Sequence, residues 1–405
     1  MKRTVSFLIL AAFTARAENY VWTGAFGGAW NVPANWAPAA VPNASDAFAR
    51  IDTDAGKAAQ VSLVDTSVAL GGLTVDNGLV LTLHQAAGLT NNGTVRLSSG
   101  GSYTYLRFNG SQTLAGTGAL VLNDRIYNAV QLAGTQPVLT QSAGHTLRGA
   151  GYLLGNTGDL INEGAVLAQG SNAPLIDPLN AFVNRGTLRA EGPGGLALEA
   201  GAYTNAGQAL TALDGSKVVL RYGVRLVGGT LRTEGSGRIV PLDGAALDGG
   251  ITVEAGCVVT QATACNVTVS GGLTNNGVWN LSAVGNYTYL EFDGSQTLGG
   301  SGKLALSDRI YNVVRPKANG QTLTHGPGHT IRGAGYLLDG LGSLDNYGRI
   351  LATGAARLVI NPYAALRNLA GGTLGGRQTP PVRRKLFPKG DETQYRLSLP
   401  DLYGR

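Results

Sequence analysis

The chain has 405 residues but only 25 acids and four histidines, so few groups stand where chemistry could use them. A β-rich enzyme acting on polysaccharides needs paired carboxylates about 5–10 Å apart or several oxygen ligands around calcium. Asp124 and Asp308 are the obvious pair, each followed by arginine in the phrase DRIYN. They are one residue seen twice, 184 positions apart, and each reads as part of an exposed turn rather than as half of an acid–base pair. His145 and His329 are likewise copies, in GHTLRGAG and GHTIRGAG, with His325 four residues before His329. Zinc needs three or four clustered ligands, and Cys257 and Cys265 have no histidine near them in sequence. The eight-residue gap between these cysteines allows a local disulfide or two buried thiols. No GxSxG elbow occurs, and the RGAG phrases open onto strand-like YLL, so they read as corners rather than phosphate loops. No catalytic residue, metal ligand or cofactor is therefore assigned.

What remains is aromatic surface. In YTYLRF, alternation places Tyr103 and Tyr105 on one face, opposite Leu106 and Phe108. Tyr287 and Tyr289 repeat the pair in the second copy. If the leucine face is core, these tyrosines point outward, either to contact glycans or another protein or to stack and close the coil. Trp22, Trp30 and Trp36, three of the four tryptophans, fall within residues 18–50. They read as a cap over an exposed first coil or as a platform for sugar rings.

The elements that must position these groups are short and repeated. Residues 89–170 match 273–354 without a gap, with about 47 of 82 positions identical. Such a duplication points to a stacked array. A finer phrase, apolar-x-Asn-x-Gly-x-apolar, carries Asn162, Asn184, Asn205, Asn346 and Asn368 at spacings of about 22, 21 and 22 residues. Between glycines, alternating pieces such as Tyr105-Leu106-Arg107-Phe108 have strand period. Glycine and asparagine supply the corners. Stacking such coils about 4.8 Å apart brings equivalent asparagines into register, where their amides can form a ladder. The expectation is an all-β, parallel β-helix (β-solenoid) of about 15 coils over residues 51–376, roughly 70 Å long. A β-sandwich would need bulkier cores, and aromatic content is 7%.

Charge and composition exclude other classes. Glycine contributes 61 residues without a three-residue period, which rules out collagen. Charged residues are 14% and hydrophobic ones 43%, unlike a disordered chain. The net charge is +6. Residues 1–17 hold about +3 of it and residues 377–405 about +4, leaving the body near −1 and without a basic stripe for nucleic acid. Residues 1–17 have the order of an export signal: Met1-Lys2-Arg3, an apolar Val5–Phe13, then Ala15-Arg16-Ala17. A mature chain from Glu18, with no membrane-spanning helix, would be secreted or held at the cell surface. Residues 377–405 form a charged tail expected to lack order.

The phrases WTGAFGGAWNVPANWAPAAVPNASDAF, GHTLRGAGYLL…LINEGAVLAQG and GHTIRGAGYLL…LDNYGRILATG resemble secreted bacterial β-helix proteins of the autotransporter-passenger and filamentous-adhesin kind. The resemblance spans most of residues 20–376. It implies a right-handed β-helix, exported, often displayed on the surface and often adhesive, with glycans or neighbouring cell-surface proteins as partners. The chain departs from the autotransporter pattern in lacking a C-terminal segment of barrel strands. The expected role is structural or adhesive and non-catalytic, with a carbohydrate-active β-helix lyase or hydrolase as the alternative.

Overall fold

The computed structural model describes residues 18–24, 27–52, 60–64, 66–84 and 88–376, with the backbone of Tyr395–Leu397. The expected export signal and most of the tail lie outside the described residues.

The chain is a parallel β-solenoid of about 15 turns. From Thr104–Asn109 to Arg349–Ala352 each strand pairs with the strand three elements later, so each of these turns contributes one strand to each of three faces. The first face is a sheet of 16 strands; the other two share a 30-stranded sheet. They join where the long strand Gly88–Ser98 bends across a corner and pairs with both Gln112–Ala115 and Ala119–Leu122. A Cβ at Gly93, in that bend, would collide with the carbonyl oxygen of Gly71, so only glycine lets the corners nest. Among the described residues the only helical segment is the 3₁₀ turn Pro33–Asn35, and no helix is long and apolar enough to cross a membrane.

Alternation puts every second side chain inside, and register stacks like on like. Leu106, Val130, Leu153, Ile176, Leu198 and Leu220 rise in one column on the first face. Leu139, Leu160, Phe182, Tyr203, Leu226 and Leu247 do so on the second, and Leu120, Leu147, Val166, Leu188, Leu210 and Leu231 on the third. All of these are buried. One turn alone could not cover its apolar inner edge; the next turn completes it.

At the N-terminal end, Asn19–Trp22 pairs antiparallel with Trp36–Ala37 and parallel with Ala44–Ile51. Trp22, Trp30 and Trp36 are 3%, 1% and 2% exposed, and Trp36 meets both others edge-on at 5.1 and 4.6 Å. Indole nitrogens of Trp30 and Trp36 donate to the carbonyls of Pro42 and Trp30. Their rings therefore close the core. The sugar-platform reading is corrected, because a stacking platform needs an open ring face. At the other end, Tyr395–Leu397 pairs antiparallel with Leu358–Ile360, so this part of the tail is a strand rather than unstructured chain.

The local disulfide is also corrected. Cys257 and Cys265 are free, buried thiols. The strand Val258–Ala262 runs between them. Its five residues, at about 3.3 Å each, hold the two Cα atoms far beyond the roughly 7 Å a disulfide tolerates.

Candidate functional site

The polar groups of the interior lie at corners. Asn162 and Asn184 end their strands on the second face and Asn205 follows the next. Asn162 Nδ2 donates to Asn184 Oδ1 at 2.8 Å, and Asn184 Nδ2 to Asn205 Oδ1 at 2.7 Å. Asn346 and Asn368 end strands on the third face and are joined at 2.7 Å. All five predicted asparagines thus stand in ladders.

The ladder extends beyond these five asparagines. Asn275 Nδ2 lies 3.1 Å from His329 Nε2, His329 Nδ1 lies 3.0 Å from His325 Nε2, and His325 Nδ1 lies 2.7 Å from Asn346 Oδ1. An amide can only donate to His329 Nε2, which places the His329 proton on Nδ1 and, in turn, the His325 proton on Nδ1. The chain then runs one way to Asn368. In the first copy Asn91 bonds His145 Nε2 at 3.0 Å, but Gln141 stands where the second copy has His325. His145 Nδ1, Gln141 Oε1 and Asn162 Oδ1 are buried there without a protein partner. Burial holds the His145 imidazole down to about 4. Burial, then neighbouring His325, holds His329 down to about 3, and burial also lowers His325. These are neutral core residues. Sequence reading missed Asn91, Gln141, Asn275 and the histidines as ladder members; residues 89–95 and 273–279 carry the same Asn-x-Gly phrase, and Asn91 and His145 recur at the 184-residue offset.

The DRIYN phrases are staples. Asn128 Nδ2 donates to the carbonyls of Arg125 and Ala150, and Asn312 Nδ2 to those of Arg309 and Ala334. Asp124 is exposed in its turn, as expected, and accepts from the backbone of Ser171 and Asn172, at 2.9 and 2.8 Å. The Ser171 amide leads in holding this carboxyl below its usual range. Asp308 takes the amide of Ala356 at 2.7 Å. Other carboxylates pair with arginines one rung away, as in Arg232–Glu254 and Arg367–Asp345. Among the described residues no three His, Cys, Asp or Glu side chains gather as a metal site.

The tyrosines do form a surface. Tyr103 is 44% exposed and stacks on Tyr105 at 5.7 Å, with Tyr127 edge-on at 5.5 Å and Tyr152 tilted at 6.2 Å. Tyr287 is 44% exposed and repeats the stack on Tyr289 at 5.7 Å, with Tyr311 edge-on. Leu106, Phe108, Leu290 and Phe292 fill the core behind them.

The two patches do not share a face. Tyr105 lies on the first face, in Thr104–Asn109. Tyr289 lies on the second, in Thr288–Phe292, whose column runs back to Gln112–Ala115. The first-face column climbs eight rungs from Thr104–Asn109 to Val278–Ser282, and the chain then advances one further face. The duplication offset is therefore eight and one-third turns, about 40 Å along the axis at 4.8 Å per rung. The asparagine ladder moves by the same corner.

No family model matches the chain, and neither a curated protein nor a solved structure matches it.

Proposed function

We propose that this protein is an exported, non-catalytic β-solenoid of the cell exterior, with a structural or adhesive role in which the tyrosine patches contact glycans. One observation carries the reading: DRIYN, the obvious candidate for chemistry, is built into the scaffold twice. Asp124 and Asp308 each hold backbone of a later coil. An enzyme needs one unrepeated cluster of acid and base facing a groove, whereas here carboxylates step along the rungs in pairs with arginine. The tyrosine stacks face outward in both copies, with Tyr103 and Tyr287 each 44% exposed. Tyrosine presents a large rigid ring at small entropic cost, which suits it to recognition.

Export is tested by the N-terminus of the secreted protein, expected at Glu18. Recognition is tested on a glycan array with the full chain and with Tyr103→Ala combined with Tyr287→Ala. Saturable binding lost in the double variant supports the reading; binding unchanged by it removes the tyrosines from the contact.

A further inference from the structure

The two tyrosine patches differ in charge, and the difference lies in where one arginine stands. In the first patch Arg107 lies over the Tyr105 ring, 4.3 Å from its centroid. Its Nε reaches Gln131 Oε1 at 3.4 Å; among the described residues neither terminal amino group has a partner and Arg107 makes no ion pair. Its neighbours in register are Thr82 below and Gln131 above, both uncharged.

In the second patch Glu291 replaces Arg107 and Arg315 replaces Gln131. Arg315 again covers the tyrosine, 4.5 Å from the Tyr289 centroid. Its fork is spent: Nε and one terminal amino group donate to Glu291 at 2.9 and 2.8 Å, and the other to Asp339 at 3.1 Å. One arginine faces two carboxylates, so this patch is net negative.

We propose that the Tyr103–Tyr105–Arg107 patch is a binding site for an acidic sugar, and that its duplicate is not. The exposed Tyr103 ring offers the flat apolar face on which a pyranose ring stacks. Over the neighbouring Tyr105 ring, the guanidinium fork of Arg107 matches a carboxylate bidentately. Tyr105 and Tyr152 stand two rungs apart, about 9.6 Å, and the Tyr103 ring packs against both, so the aromatic surface extends along the rod. At the duplicate, the same carboxylate would meet Glu291 and Asp339 and be repelled. The proposal rests on the glycan-contact reading above and adds charge selectivity and a single site per chain.

The test is calorimetric titration of the full chain with oligogalacturonate, its methyl ester, a neutral cello-oligosaccharide and polyglutamate. The expected result is one oligogalacturonate per chain, weakened tenfold or more by methyl esterification, by Arg107→Gln and by added salt. Glu291→Gln with Asp339→Asn frees Arg315 and is expected to raise the count to two. Circular dichroism checks that each variant keeps its sheet. If sugars bind but Arg107→Gln and the ester change nothing, charge selectivity is overturned while the glycan reading stands. Polyglutamate binding as well as oligogalacturonate overturns the sugar half of the proposal. If neither acidic nor neutral sugar binds the folded chain, the reading beneath it fails as well.

Discussion

Nε2 of His325 accepts the Nδ1 proton of His329 across 3.0 Å inside the solenoid. The pair is continuous with Asn275 on one side and Asn346 on the other, so a buried polar chain ties successive turns at one corner. Two imidazoles survive in an apolar interior because both are neutral and their ring nitrogens are all paired.

That arrangement makes stability depend on pH. The imidazoles titrate near 6.5 when unfolded, against about 4 for His145 and about 3 for His329 when folded. Within that window the unfolded chain binds more protons, so stability is fully present above about pH 6.5 and is lost as pH falls towards 3. His145 alone accounts for about 3 kcal/mol. Urea midpoints are expected to fall between pH 7.5 and pH 4.5, and to fall less in His329→Gln; equal midpoints at the two pH values contradict the account.

Asn184 is the middle rung of its ladder, accepting from Asn162 and donating to Asn205. Asn184→Ala leaves the Asn205 oxygen buried and unpaired, at a cost of about 1–3 kcal/mol. Asn368 is exposed at the end of its ladder, so Asn368→Ala costs less. Denaturation midpoints of the two variants give the comparison; equal losses would detach the ladder from stability.

Gln141 leaves one ring nitrogen and two amide oxygens unpartnered where its counterpart His325 joins both neighbours. Gln141→His is expected to join His145 to Asn162 and raise stability by about 1 kcal/mol. A lower thermal midpoint in this variant would show that the two corners are not interchangeable.

The thiols are expected to be silent. Cys257 is fully buried and its thiol is pushed up to about 11 by burial, and Cys265 shifts the same way. Iodoacetamide at pH 8 is expected to modify neither in the native protein and both after denaturation without reductant. A protein needing reductant before both react would restore the disulfide.

Much of the architecture is legible in the residues. Asn162, Asn184 and Asn205 recur at a near-constant interval, and only a coil of that length brings their amides together. The one-third turn between Tyr105 and Tyr289 is not legible, because coil length varies. The rung is 27 residues long from Gln112 to Leu139 and 21 from Leu139 to Leu160, so the offset alone does not say which face is reached. Trp30 and Trp36 illustrate another limit: a cap and a sugar platform both call for aromatics, and burial alone separates them. The charge difference between the patches needs register, since Arg315 matters through Glu291 one rung below it.

The most direct test is of the claim that these carboxylates hold rungs rather than carry out chemistry. The full chain is incubated with a panel of neutral and acidic polysaccharides, and reducing ends, unsaturated products and chain-length distributions are followed. The account predicts no change in any of them, including with polymers the protein binds. New ends or unsaturated products that vanish in Asp124→Asn or Asp308→Asn, with the sheet intact, would contradict it.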